Sequence, residues 1–371
     1  MFVQYNKNSQ KFPIKIWCEN AESIDENCME QAIHLANLPF IYKWVALMPD
    51  THMGKGMPIG AVIACNDVVI PNAVGVDIGC GMGFIQTNIP VKLLKETVTG
   101  SGNLVKVIVG NIQRTIPLGV AHYKKPQESA VLSEAKKEME KYSSESELIS
   151  EIDEGFFQVG TLGGGNHFIE IQEDENGLAC IMLHSGSRHF GNVIGQHFNK
   201  IARELNRKYW SDVPESYNLP FLPVDTTEGK SYLNYMNLAM NFAFENRAVM
   251  LRKVKDIFSE NVQKFAGVTT EFSNEINCHH NYASLENHFD KDVWDLNLSE
   301  CATLAGITQA PTKYTPIENP KENAKRRKEV LDHMLDQGYI TQEQYDDAIN
   351  DDVYTRIQEA QASNTQSSSK T

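Results

Sequence analysis

Residues 71–84 read PNAVGVDIGCGMGF, four glycines with one aspartate and one cysteine between two apolar runs. Glycine is the residue of tight turns and close backbone approach, and a cysteine in such company can be a small buried hydrophobe. A carboxylate and a thiolate three residues apart, as at Asp77 and Cys80, can also grip a metal ion. On this stretch alone both readings stand, and the choice rests on what the rest of the chain brings to it.

Outward from this turn the first two-thirds of the chain alternates short β-like runs with Gly-rich turns, then helices. GAVIACNDVVI (60–70) and ACIMLH (179–184) are β-branched or apolar runs bounded by turn residues, which predicts strands. GGGNHFIEIQ (163–172) reads as a turn entering a strand, with His167, Ile169 and Ile171 on one face and Phe168 and Glu170 on the other. From Leu233 to Phe258 apolar residues recur at Met236, Met240, Ala243, Met250 and Val254, a helical spacing whose methionines read as core filler. Residues 295–360 read as small capped helices. Pro320 stands near the start of one and Gly338 just past its end, while Thr341, Gln344, Ile340 and Tyr345 form a capping box and staple for the next. The polar end QASNTQSSSKT (361–371) lacks periodicity and reads as disordered.

The chain has 371 residues, 41% hydrophobic and 22% charged, the balance of a soluble globular protein with ample core. Neither a basic-flanked leader nor an apolar run long enough for a bilayer is evident, so a cytoplasmic protein is the expectation. Seven scattered cysteines suggest reduced thiols rather than a disulfide framework. A net charge of −14 argues against whole-surface attraction to nucleic acid, but leaves room for a local basic groove or a site whose positive charge is metal. Arg114, Lys124 and Lys125 are the candidates for a phosphate-contacting edge.

Three of the eleven histidines keep unusual company: His167 after GGGN, His184 before a Gly/Ser turn, and His280 in INCHHNY. His34, His122 and His333 read as ordinary structure. Together with Asp77 and Cys80 the three offer more donors than one tetrahedral ion needs, and a sulfur able to bridge suits two neighbouring ions. Ligand type does not fix the metal, since Cys and His also take zinc or cobalt. The GGGNH and SGSR turns can present backbone N–H groups to phosphate, with Asn166, Asn281 and Arg188 as neighbouring donors.

The motifs MPDTHMGKGMPIG, VGVDIGCGM, GTLGGGNHFIEI, LHSGSR and EINCHHNY closely resemble the RtcB family of RNA ligases, in the same order and at similar separations over about residues 1–289. The resemblance implies an α+β fold, a mixed α/β core with a metal site at strand ends and turns. It implies a site of two manganese ions held by Asp77, Cys80, His167, His184 and His280, with Cys80 shared. It also implies that Asn166, Phe168, Glu170 and Asn281 contact GTP. The reaction so implied joins RNA bearing a 3′-phosphate or 2′,3′-cyclic phosphate to a 5′-hydroxyl end, after a histidine attacks GTP to form a covalent guanylate.

The family's nucleophilic histidine lies downstream of the CHHNY motif, beyond an Arg-Lys-Gly-Ala-type segment, and none of that follows Tyr282 here. No catalytic residue is therefore identified. From about Asp290 the chain instead resembles the end of a penicillin-binding-protein glycosyltransferase domain, without that family's catalytic glutamates. The expected organisation is a ligase core (1–289), a helical segment of other origin (290–360) and a disordered tail (361–371): an apparent chimera. Its predicted function is an RNA ligase with a defective guanylation step. The alternatives are a non-catalytic protein that binds metal and nucleotide or RNA, and, last, a peptidoglycan glycosyltransferase fragment.

Overall fold

The segment that follows Cys80 is built to be covered on one side. Along Gly81–Pro90 buried residues alternate with more accessible ones, the period of a strand with one face against a core. In the computed structural model, which describes residues 1–18, 24–142, 146–285, 296–307 and 314–358, this strand lies inside a four-stranded sheet. The sheet order is Phe272–His279, Gly81–Pro90, Leu178–Ser185, Phe168–Glu173. Gly81–Pro90 and Phe168–Glu173 both run antiparallel to Leu178–Ser185. One face carries Ile85, Ile89, Ile181 and Leu183 into a core shared with Ile108, Ile112, Met250, Val254 and Phe258. Full burial of each such side chain contributes roughly 1.5–3 kcal/mol. The register sets Met82 and Phe168 on either side of His184, so these three share the opposite face. The expected strand at ACIMLH lies within Leu178–Ser185.

The helical run expected over 233–258 belongs to a 40-residue helix, Thr227–Ala266. It starts where the Thr226 side chain accepts from the Gly229 N–H and ends at Gly267, whose φ of 68° suits a residue without Cβ. Neither Pro nor Gly interrupts it after Gly229. Its first half packs Tyr235, Met236, Ala239 and Phe242 with Phe190, Ile194 and Phe198 of the helix Arg188–Lys208. Its second half packs Met250, Val254 and Phe258 beneath the sheet. Two cores thus hang on one rod about 60 Å long.

A second sheet, in the order Phe2–Gln4, Ile14–Ile16, Ile41–His52, Ile59–Cys65, covers the helix Glu26–Ala36 through Ile14, Ile16, Leu35, Val45 and Leu47. Here the single strand expected over 60–70 breaks in two, Ile59–Cys65 and Val68–Val69. Asp67 takes φ 56°, a left-handed turn that Asp tolerates, and the second piece pairs with Leu222–Pro223.

The chain divides into two compact units, Met1–Glu275 with His279–Ala283, and Ile276–Cys278 with Ser284–Thr371. In the second, helices Leu298–Ile307, Pro320–Asp336 and Gln342–Asn350 enclose Ala302, Leu331, Ile340 and Ala348, with Tyr345 packed alongside. Thr341 and Gln344 form the expected capping box, and Gly338 takes φ 72°. The expected junction near position 289 and the tail 361–371 lie outside the described residues.

Asp351 accepts two hydrogen bonds from Arg356, both 2.7 Å, and these hold its carboxyl near a pKa of about 2 against an ordinary 3.8. A depressed pKa stabilises the folded state above the ordinary value, and the gain is lost as pH falls through about 2. Asp351→Asn is therefore expected to be less stable than wild type at pH 5 and to close most of that gap by pH 2. Urea midpoints of both proteins across that range test it; a gap independent of pH contradicts it.

Candidate metal centre

Four separate segments deliver the five side chains. Asp77 and Cys80 sit in the turn before Gly81–Pro90, where the Cys80 N–H donates to the Asp77 carbonyl at 3.0 Å. His184 is the penultimate residue of Leu178–Ser185, and His167 precedes Phe168–Glu173 by one residue. His280 follows Phe272–His279 directly, and its N–H donates to the Cys80 carbonyl at 2.9 Å. In the same place Gly79 N–H donates to the Asn281 carbonyl (2.8 Å) and the Asn281 amide to the Asp77 carbonyl (3.1 Å).

The donor atoms converge. Cys80 Sγ is 3.1 Å from His184 Nε2 and 3.5 Å from His167 Nε2. His184 Nε2 is 3.2 Å from His280 Nε2, and His167 Nε2 is 2.9 Å from Asp77 Oδ2. Two donors bound at about 2.1–2.3 Å with tetrahedral angles stand about 3.5 Å apart, so these separations fit a shared ion. Cys80, His167 and His184 all lie within 4.8 Å of one another and can hold a metal ion. Strict alternation puts His167 on the face of Ile169; because the strand begins only at Phe168, its ring is free to turn beside His184, 5.2 Å between centroids.

The surroundings fix how these donors are presented. His184 Nδ1 lies 3.0 Å from the Asn166 carbonyl, which can only accept, so the proton sits on Nδ1 and the Nε2 lone pair faces the cluster. Burial, then neighbouring positive charge, lowers the pKa of His184 and of His280, favouring neutral imidazoles. Burial pushes the Asp77 carboxyl up, but hydrogen bonds from His167 and Cys80 and the charge of Arg188 prevail, and it ends below its ordinary value. Burial, followed by the charge of Asp77, raises the Cys80 thiol; a cation beside the sulfur reverses that preference.

The residues expected to contact nucleotide lie close by. Phe168 shares the face of His184, with 5.6 Å between ring centroids, and Glu170, two residues along that face, is exposed and accepts from Gln172 at 2.8 Å. Asn166 is exposed on the GGGNH turn. The SGSR turn is otherwise employed: Ser187 N–H donates to Asp77 Oδ1 at 3.1 Å. Arg188 reaches Thr161 Oγ1 (3.3 Å), the Gly119 carbonyl (3.2 Å) and His167 Nδ1 (3.4 Å), bracing the cluster's outer side. Of the histidines read as structural, His34 stacks on Tyr217 at 3.9 Å and His333 lies in the helix Pro320–Asp336. Arg114, Lys124 and Lys125 are exposed, Arg114 donating to Asn111 at 2.6 Å.

The spacing of motifs does not reveal the long helix's part in the site. Buried Asn246 accepts from Gly160 N–H (2.7 Å) and Thr161 N–H (3.1 Å). It donates to the Thr161 carbonyl (3.2 Å), Ser185 Oγ (3.3 Å) and the Gly186 carbonyl (3.1 Å). Arg247, fully buried, donates to the carbonyls of Gly79 (2.8 Å) and Ser185 (3.0 Å) and lies 3.1 Å from His279 Nδ1. Their signal in the sequence is a polar pair set where the 242–250 apolar stripe should continue.

Two substitutions separate support from ligation. Asn246→Ala removes five buried hydrogen bonds; Thr161 N–H keeps Gln158 and Ser185 Oγ keeps Leu162, and at about 1–3 kcal/mol for each of the other three groups the change is expected to cost at least ~3 kcal/mol in denaturant unfolding. A methyl at Gly186 would run into the Asp77 carboxylate. Gly186→Ala is therefore expected to leave the fold intact and weaken divalent-metal binding about tenfold or more, measured by titration calorimetry; unchanged affinity contradicts this placement of Asp77.

No described helix is long and apolar enough to cross a membrane. A model of the tRNA-splicing ligase RtcB family matches residues 31–320, running past the core end expected at 289. RNA-splicing ligase RtcB of Escherichia coli K12 is 32% identical over 307 residues, covering 80% of this chain and 74% of the relative. The tRNA-splicing ligases RtcB of Pyrobaculum aerophilum and Thermococcus kodakarensis are 28% and 30% identical, covering 85% and 71% of this chain and 74% and 61% of themselves. With four motif segments folded around one cluster and a family match over most of its length, the chain belongs to the RtcB family.

Proposed function

We propose that this chain acts in the cytoplasm as a manganese- and GTP-dependent RNA ligase, on RNA with a 3′-phosphate or 2′,3′-cyclic phosphate and a 5′-hydroxyl end. We propose further that its guanylation step is impaired. The observation that carries the reading is the convergence of Asp77, Cys80, His167, His184 and His280 in a chain of this family.

We read these residues as two overlapping sets, Asp77, Cys80 and His167 on one side and Cys80, His184 and His280 on the other, a reading supported by the His167–Asp77 and His184–His280 contacts. Two manganese ions there would supply positive charge against phosphoryl oxygens. The protein's part is to hold the reactants. Phe168 offers an aromatic surface beside His184, and the exposed Glu170 carboxylate can accept from guanine's N–H donors. Asn166 and Asn281 have amides able to donate to phosphate oxygens. The Ser185 carbonyl, next to His184, is held by the long helix and the Asp77 carbonyl by the CHHNY segment, so the ligands need little rearrangement to bind.

Impairment follows from what can carry the guanylate. After Tyr282 the chain's histidines are His288 and His333, neither in the family's glycine-rich setting. The same reading takes residues 1–289 as the ligase core and 290–360 as a helical segment of separate origin.

Incubation with manganese and α-labelled GTP, followed by denaturing electrophoresis, tests both parts. The expected result is manganese-dependent GTP binding with no label retained on the denatured chain. Retained label, or efficient joining of cyclic-phosphate and 5′-hydroxyl RNAs, overturns the impairment. A chain that binds neither GTP nor RNA ends in the presence of manganese overturns the ligase reading itself.

A further inference from the structure

The helix Arg188–Lys208 begins at the metal centre, where Arg188 touches His167, and runs about 30 Å away from it. In a chain of net charge −14 this helix carries five basic residues against one acidic. Its exposed positions His189, Gln196, Lys200, Arg203 and Arg207 follow at intervals of seven, four, three and four residues, a single stripe along one face. The stripe therefore leads from the site to the helix's far end, polar at His189 and Gln196 and basic from Lys200 through Arg203 to Arg207, with Glu204 beside it.

Something unusual stands there. Trp210 is 90% exposed and holds φ 55°, a conformation that costs a bulky residue strain and is ordinarily given to Gly or Asn. Tyr209 beside it is 62% exposed. Trp210 borders a cavity of about 270 Å³, also lined by Arg203, Arg207, Pro214, Leu219 and Pro220. The Arg207–Glu215 pair, with contacts of 2.6 and 2.7 Å, fixes one wall. Arg203 meets the neutral amide of Asn218 and lies near the Glu215 carboxylate that Arg207 also pairs with, so two guanidiniums share one carboxylate and the mouth keeps a net positive charge. A large aromatic surface, a wall of prolines and two guanidiniums sharing one carboxylate are what a nucleobase with its phosphate needs.

We propose that Trp210 and Arg203 form a subsite for single-stranded RNA: a base stacks on Trp210 while the preceding backbone follows the stripe from the metal centre to its basic end. The subsite rests on the RNA-ligase reading and adds to it a requirement on substrate length. At about 3.4 Å per stacked nucleotide, 30 Å corresponds to roughly nine nucleotides between the reacting end and the stacked base.

The test uses the full chain and fluorescence anisotropy with 3′-phosphorylated single-stranded RNAs of about five and about twenty nucleotides. Trp210→Asn removes the ring yet suits the backbone, so folding is preserved. It is expected to weaken the longer RNA roughly five- to a hundredfold and leave the shorter unchanged, while Trp210→Tyr restores most of the loss. Arg203→Gln is expected to lower the salt slope of the longer RNA by about one. Equal binding of the longer RNA by wild type and Trp210→Asn overturns the subsite and leaves the ligase reading standing. Failure of wild type to bind either RNA overturns both.

Discussion

The centre depends on one buried cation. Arg247, fully enclosed, gives its guanidinium to the carbonyls of Gly79 and Ser185, the chain neighbours of Cys80 and His184. A guanidinium out of water is tolerable only when its donors are satisfied, so the helix can seat there only with both turns in place. Asn246, one residue earlier, imposes the same condition on 160–161 and 185–186. Because these two residues fall between the two apolar halves of a 40-residue helix, packing either core brings them beneath the site.

From that constraint the site's electrostatics follow. Backbone acceptors face Arg247 from one side, and the ring nitrogens and sulfur are left to face one another on the other. His184 is oriented by the Asn166 carbonyl and Asp77 by the Ser187 N–H, so the donors point inward before any ion arrives. Close approach has its own requirement. A Cβ at Gly79 would lie 2.8 Å from the Met240 backbone, and Gly79 holds φ 71°, so only glycine lets this turn lie against the helix.

Much of the fold and of the donor set is legible in the sequence, for physical reasons. Strand ends with Gly-rich turns show as abrupt changes of composition, and reactive side chains at such ends stand out because nothing apolar explains them. Thr341 and Gln344 announce a helix start in the same local way. What escapes is decided by tertiary contact. Asn66 and Asp67 break an apolar run because a turn there lets Val68–Val69 pair with a distant strand. That Arg188, a candidate phosphate donor from its turn, also reaches Thr161, Gly119 and His167 is equally a matter of tertiary contact. The roles of Asn246 and Arg247 rest on contacts with residues far away in the chain, at 79, 160–161 and 185–186.

The account stands or falls on whether Cys80 is shared by two ions. Metal analysis of the chain dialysed against manganese, with electron paramagnetic resonance of the bound ions, measures this directly. The account predicts two manganese ions per chain with an exchange-coupled spectrum, and loss of that coupling in Cys80→Ala. A single uncoupled ion, or a coupled pair that survives removal of the Cys80 sulfur, would contradict it.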